Sequence, residues 1–156
     1  MRKYLSLAGI FFLALFYFLT TAYAGEAPDF QLLDLNDQKV SLSDYKHKQA
    51  VVLFFWTTWC PYCREELRIL NAEQQDLAKD AITLLAINVG ESKHKVENFV
   101  KGRNLRFRVL LDETGRVTEI YDLLGVPSYI VVNSSGQIVF RGSHFPKEML
   151  KELKGK

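Results

Sequence analysis

The residues of this chain that can do covalent chemistry are Cys60 and Cys63, its only two cysteines among 156 residues. Their Cys60-Pro61-Tyr62-Cys63 spacing allows a disulfide to close and reopen locally. The preceding run, Val51-Val52-Leu53-Phe54-Phe55-Trp56, is continuously apolar and rich in β-branched and aromatic residues, the pattern of a buried strand. The following run, Arg64 to Leu70, opens a helix with apolar residues at helical spacing. The pair therefore falls where a strand hands over to a helix N-terminus. Unpaired backbone N–H groups and the helix macrodipole favour a thiolate there. Cys60, nearer the helix start and expected to be the more exposed, is the candidate attacking thiol, with Arg64 as a further source of positive charge. Cys63, one turn inside, is the candidate resolving thiol. A zinc site would want four ligands, and His47, His94 and His144 stand at no ligand spacing to the pair. An inert core pair fits poorly with Pro61, which suits a preorganised first helical turn.

The N-terminus bears on where this chemistry operates. Met1-Arg2-Lys3 is followed by an uncharged, mostly apolar stretch from Tyr4 to Ala24, and Ala22-Tyr23-Ala24 offers small residues at the positions a signal peptidase reads. Residues 1–24 are expected to be an export signal cleaved after Ala24, or an uncleaved membrane anchor of sufficient length to span a bilayer. No cysteine lies near the end of the apolar run to carry a lipid. Either way the remaining chain, 25–156, is expected to work outside the cytoplasm as one domain, touching the membrane only if the segment is retained. Its formal charge of +2 owes itself to Arg2 and Lys3, which leaves residues 25–156 neutral. Nothing in that balance points to nucleic acid.

The elements that must hold the pair follow from periodicity and turn residues. Pro28 to Tyr45 reads as an N-terminal β-hairpin around Asn36-Asp37. After the strand at Val51, a helix is expected from about Cys60 to Lys79, then a buried strand from Ala81 to Val89. Ser92 starts a second helix with Val96, Phe99 and Val100 on its apolar face. A short strand at Val109-Leu110-Leu111 precedes a helix from Glu113 to Leu123. Ser128–Val132 and Gln137–Arg141 form a hairpin across Asn133-Ser134-Ser135-Gly136. Pro146 to Leu153 closes as a helix. Strands alternating with helices, then a terminal hairpin and helix, indicate an α/β fold: a central mixed sheet with helices on both faces.

Four stretches in this order resemble the thioredoxin superfamily, and within it the ResA/TlpA-like exported thiol–disulfide oxidoreductases related to AhpC/TSA proteins. They are Phe55 to Glu66 around the cysteines, Asn88-Val89-Gly90-Glu91-Ser92-Lys93, Tyr121 to Ser128 with Gly125-Val126-Pro127, and Val131 to Gly136. The resemblance implies a thioredoxin fold and a redox-active Cys60–Cys63 disulfide with no other cofactor and no metal. It implies a cis proline at Pro127 facing the cysteines; a trans proline that merely starts a strand is the plainer alternative. Trp59, Pro61, Tyr62 and Val126 would line the substrate contact. Many thioredoxins place a buried carboxylate six positions before the first cysteine, where this chain has Phe54. The ResA-like branch uses a glutamate at the end of the neighbouring strand, here Glu91. A carboxyl near two thiols is expected to have a raised pKa and to act as acid or base; otherwise Glu91 would only favour the first turn of its helix.

The implied task is reduction of disulfides in exported proteins, notably the haem-attachment cysteines of apocytochrome c, with electrons from a membrane thiol carrier. Cys-Pro-Tyr-Cys also occurs in glutaredoxins, which are shorter and lack the Asn88–Ser92 stretch, so the direction of electron flow stays open and a disulfide-forming oxidant is a rival. A thiol peroxidase is another: Thr57-x-x-Cys60 matches part of the peroxiredoxin pattern, but Leu53 stands where they carry proline. A Sco-like copper chaperone would space its cysteines by one residue more and add a distal histidine.

Overall fold

The computed structural model describes residues 25–153; the export or anchor segment expected over 1–24 lies outside the described residues. In chain order the elements are β1 (Gln31–Asp34), β2 (Lys39–Ser41), a 3₁₀ turn (Leu42–Tyr45), β3 (Ala50–Trp56), α1 (Pro61–Lys79), β4 (Ile82–Val89), α2 (Lys93–Val100), β5 (Arg108–Asp112), α3 (Arg116–Ile120), β6 (Ser128–Val132), β7 (Ile138–Gly142) and α4 (Lys147–Leu153). The strands form one mixed sheet of order β2-β1-β5-β4-β3-β6-β7. β3 pairs in parallel with β4, and β4 with β5, each connection crossing over through a helix. β6 runs antiparallel beside β3 and is extended by β7. The N-terminal hairpin is present and attaches its first strand to the far edge, antiparallel to β5.

β3 is an interior strand, flanked by β4 and β6, and is buried on both faces, which explains why its sequence shows no alternation. Val52, Phe54 and Trp56 pack on one face with Leu67 and Leu70 of α1, Val96 of α2 and Leu150 of α4. Val51, Leu53 and Phe55 pack on the other with Val117 of α3, Tyr121, Phe30 just before β1, Val40 of β2 and Leu42 of the 3₁₀ turn. Helices thus cover both faces, three on one and α3 with the 3₁₀ turn on the other.

The helix expected over Glu113–Leu123 is shorter, Arg116–Ile120. Asp112 shapes its start: its carboxylate accepts from Val117 N at 3.2 Å and from Thr118 N and Oγ1 at 2.9 and 2.8 Å. Gly115 sits at φ 75°, which only glycine adopts freely, and Asp122 at φ 52° ends the segment. The β6–β7 turn is closed by Asn133, whose side chain accepts from Gln137 N at 2.9 Å, while Gly136 takes φ 85°.

Candidate active site

β3 ends at Trp56, and Thr57-Thr58-Trp59 carries the chain over the sheet rim to Cys60. Cys60 is the N-cap of α1 with extended backbone (φ −79°, ψ 114°), and Pro61 takes the first helical position, where a missing N–H costs nothing. The Cys60 sulfur accepts the Cys63 backbone N–H at 3.1 Å. A helix N-terminus therefore points one of its unpaired donors at this sulfur, which favours the thiolate once the bond is reduced. Cys60 and Cys63 are joined by a disulfide with Cα atoms 5.2 Å apart. Cys60 is 3 % exposed and Cys63 fully buried, so Cys60 is the more accessible by a narrow margin.

A second loop supplies the opposite wall. Antiparallel pairing of β3 with β6 brings the start of β6 beside the end of β3. The residues just before β6 thereby meet the disulfide: the Val126–Pro127 bond is cis, and the Val126 carbonyl oxygen lies 3.9 Å from Cys60 Sγ. Around this contact the surface is apolar. Trp59 is 64 % exposed and Tyr62 78 %, and Leu124, one residue before Gly125, is fully exposed. Trp56, by contrast, is a core residue stacked at a tilt on Phe99.

Glu91 does not act as a simple helix-start residue. It is buried and reaches back to the cysteine loop, accepting from Thr58 N at 2.7 Å, Thr58 Oγ1 at 2.7 Å and Asn88 Nδ2 at 2.8 Å. Lys95, one turn along α2, places its ammonium 2.7 Å from the same carboxylate. The expectation of a raised pKa is corrected here. Burial, the largest influence, pushes the Glu91 carboxyl up, but the hydrogen bonds from Lys95, Asn88 and Thr58 together hold it below the usual carboxylate range. With the disulfide closed, Glu91 is an anion near neutrality and has no proton to donate. Arg64 also differs from expectation: its Nε and Nη2 donate to the Thr58 carbonyl at 3.3 and 3.2 Å and not to a cysteine sulfur. Thr58 is thus clamped from both sides, two residues before Cys60.

Sequence reasoning missed a second buried carboxylate. Glu66 lies three residues after Cys63, on the same side of α1, and accepts from Tyr129 Oη at 2.7 Å. Burial, and then the hydrogen bond to Glu66, push the Tyr129 phenol far above its ordinary range, so it stays a neutral donor. Tyr129 stacks on Phe54 with ring centroids 4.7 Å apart. A buried carboxylate on α1 is thereby tied through Tyr129 to the Phe54 ring of β3. The Cys63-x-x-Glu66 spacing was the available signal. His144 stands in the loop after β7, its ring 3.0 Å from Ser143 Oγ, and His94 pairs with Asn98 on α2. Among the described residues no group of three or more His, Cys, Asp or Glu side chains is arranged to hold a metal.

Comparison with known proteins agrees with this geometry. Residues 24–141 match the AhpC/TSA family. The thiol-disulfide oxidoreductase ResA of Bacillus subtilis is 37% identical over 114 residues, which cover 73% of this chain and 63% of that protein, just under two thirds of its length. The crystal structure of StoA from Bacillus subtilis superposes with a TM-score of 0.69 at 27% identity, covering 81% of this chain and 96% of that one. The pneumococcal exposed lipoprotein thioredoxin Etrx1 superposes with a TM-score of 0.71 at 27% identity, covering 81% of this chain and 100% of that one. The mixed sheet, the flanking helices and the redox disulfide at the rim are those of a thioredoxin fold. The chain belongs to the AhpC/TSA family and, within it, to the ResA-like thiol–disulfide oxidoreductases.

Proposed function

We propose that this chain is an exported thiol–disulfide reductase of the bacterial cell envelope, held at the outer face of the cytoplasmic membrane or released into the periplasm. Its substrates in this reading are disulfides of exported proteins, with the haem-attachment cysteines of apocytochrome c as the leading case and a membrane thiol carrier as electron donor. The ResA name of the relative and the exposed lipoprotein among the neighbours support that setting.

The observation that carries the chemistry is the Cys60 sulfur at the α1 N-terminus, accepting the Cys63 N–H beneath an exposed apolar rim. In the reduced protein the Cys60 thiolate attacks one sulfur of a substrate disulfide, which breaks and releases the first substrate thiolate. Cys63 then gives up its proton and attacks Cys60 Sγ. The mixed disulfide breaks, the second substrate thiolate leaves, and the Cys60–Cys63 bond forms. Two electrons pass to the substrate, and the donor returns the protein to its dithiol. Cys63 is shut off from water, so its proton must pass to a group inside the protein; Glu91, held as an anion, is the acceptor in this reading. Trp59, Pro61, Tyr62, Val126 and Pro127 hold the substrate segment across the disulfide.

Direction is tested by equilibrating the Cys60–Cys63 pair in a thiol redox buffer. A potential of roughly −270 mV or lower is expected for a reductant, whereas a value near −120 mV would make the protein a disulfide donor and overturn the proposal.

A further inference from the structure

Between α1 and α2, on the helical face next to the disulfide, lies an open cleft of about 250 Å³. Its floor is apolar, made by Leu67, Phe99 and Leu105, and its walls carry Arg64, Arg68 and Arg103. No acidic side chain lines it. Each guanidinium is held in place by its own chain. Arg64 is fixed on the Thr58 carbonyl. Arg103 lies over the Phe99 ring at 3.9 Å and donates to the Phe99 carbonyl. Arg68 is paired with Glu65 just outside the cleft. Among the described residues neither Arg64 nor Arg103 has a carboxylate partner, and each keeps N–H donors unspent, five being available on every guanidinium. Fixed, unpaired cations over an apolar floor match a carboxylate borne on an aliphatic stem.

The cleft begins where the redox site ends. Arg64 follows Cys63 directly, and Leu67 lies one turn further along α1. At 1.5 Å per residue, Arg64 and Arg68 stand about 6 and 12 Å along the helix from Cys60, the attacking thiol. An extended polypeptide covers that distance in roughly two to four residues.

Resting on the reductase reading above, we infer that this cleft docks an acidic residue of the substrate protein, an Asp or Glu two to four residues from its reacting cysteine. The arginines take the carboxylate and Leu67, Phe99 and Leu105 take the apolar part of the same segment. Substrates with basic residues at that spacing are disfavoured.

The test uses the reduced full chain and synthetic peptides. Each peptide holds one cysteine as a mixed disulfide with 2-mercaptoethanol and has Glu, Gln or Lys three residues away, on either side in separate peptides. In each reaction the Cys60/Cys63 dithiol becomes the disulfide, and the peptide thiol and 2-mercaptoethanol are released. Rates are expressed relative to bis(2-hydroxyethyl) disulfide on the same protein, which cancels changes in the redox site itself. On at least one side the Glu peptide should react about tenfold faster than the Lys peptide, the scale of two exposed ion pairs, and the gap should shrink with added salt. Arg103→Glu should reverse the ranking, with Arg103→Gln in between. Equal relative rates for the three peptides on both sides, or a ranking that Arg103→Glu leaves untouched, would overturn the docking inference alone. Failure to reduce bis(2-hydroxyethyl) disulfide would overturn the reductase reading beneath it.

Discussion

Replacing Glu91 by Gln in the oxidised protein keeps the shape of the side chain and removes its charge, so it measures what the carboxylate does. Its two oxygens receive only donors: Thr58 N and Asn88 Nδ2 at one, Thr58 Oγ1 and the Lys95 ammonium at the other. An amide NH₂ in either orientation must face a donor that cannot reverse, the Thr58 N–H or the Lys95 ammonium. A lost charge-assisted contact costs about 1.5–3 kcal/mol, and a buried donor left without an acceptor about 1–3 kcal/mol. The two overlap, so a loss of roughly 2–4 kcal/mol is expected at pH 7, with Tm lower by roughly 8–16 °C at about 4 °C per kcal/mol for a domain of this size. The fold should persist, because neither core loses an apolar contact.

The pH dependence carries a definite sign. The Glu91 carboxyl is held below its ordinary value of 4.5 in the folded state. Its contribution is therefore fully present above that ordinary value and is lost as pH falls through the lower, folded one. Urea unfolding of both proteins at pH 7 and at pH 3 should show the gap between them narrowing in acid. Equal midpoints at pH 7 would refute the reasoning outright. A gap that did not change with pH would show that shape and not charge is at stake.

Other substitutions probe the remaining parts of the site. Cys60→Ser should abolish turnover, while Cys63→Ser should accumulate mixed disulfides visible on non-reducing gels; no trapped species would put the attacking role of Cys60 in doubt. Tyr129→Phe leaves the ring on Phe54 but deprives buried Glu66 of its donor, and should cost about 1–3 kcal/mol in chemical denaturation. Asp112→Ala removes three hydrogen bonds at the start of α3 and should cost about 1–2 kcal/mol, with turnover retained if α3 is remote from the chemistry. In the reduced protein, Glu91→Gln should displace the pH profile of thiol alkylation; an unchanged profile would leave Glu91 as an anchor of the cysteine loop only.

What the sequence reveals about this site depends on how local the signal is. The cysteine pair, the strand before it and the helix after it are contiguous, so composition and periodicity suffice to place them. The Lys95 contact was within reach, since it follows Glu91 at the four-residue spacing that brings helix-surface side chains together. Thr58 as the clamped residue of the loop was not, because its partner lies 33 positions away. The Tyr129–Glu66 bond spans 63 positions and exists only because the β3–β6 register sets Tyr129 opposite Phe54. The misjudged Glu91 pKa has the same origin. Sequence suggested burial, which raises a carboxyl, but could not count the donors that outweigh it. The shortened α3 reflects the Asp112 carboxylate taking the first helical N–H groups, a side-chain choice that helical periodicity does not report.

The double burial of β3 also bears on how this protein can vary over time. Its even-numbered side chains, Val52, Phe54 and Trp56, belong to one core and its odd-numbered ones, Val51, Leu53 and Phe55, to the other. Gaining or losing one residue within 51–56 would send every side chain beyond the change to the wrong side of the sheet. It would also displace the cysteine loop relative to the Val126 carbonyl. Lineages of this protein should therefore hold the length of that strand fixed, and gain or lose residues at turns such as 36–38 and 133–136, where neither core keeps count.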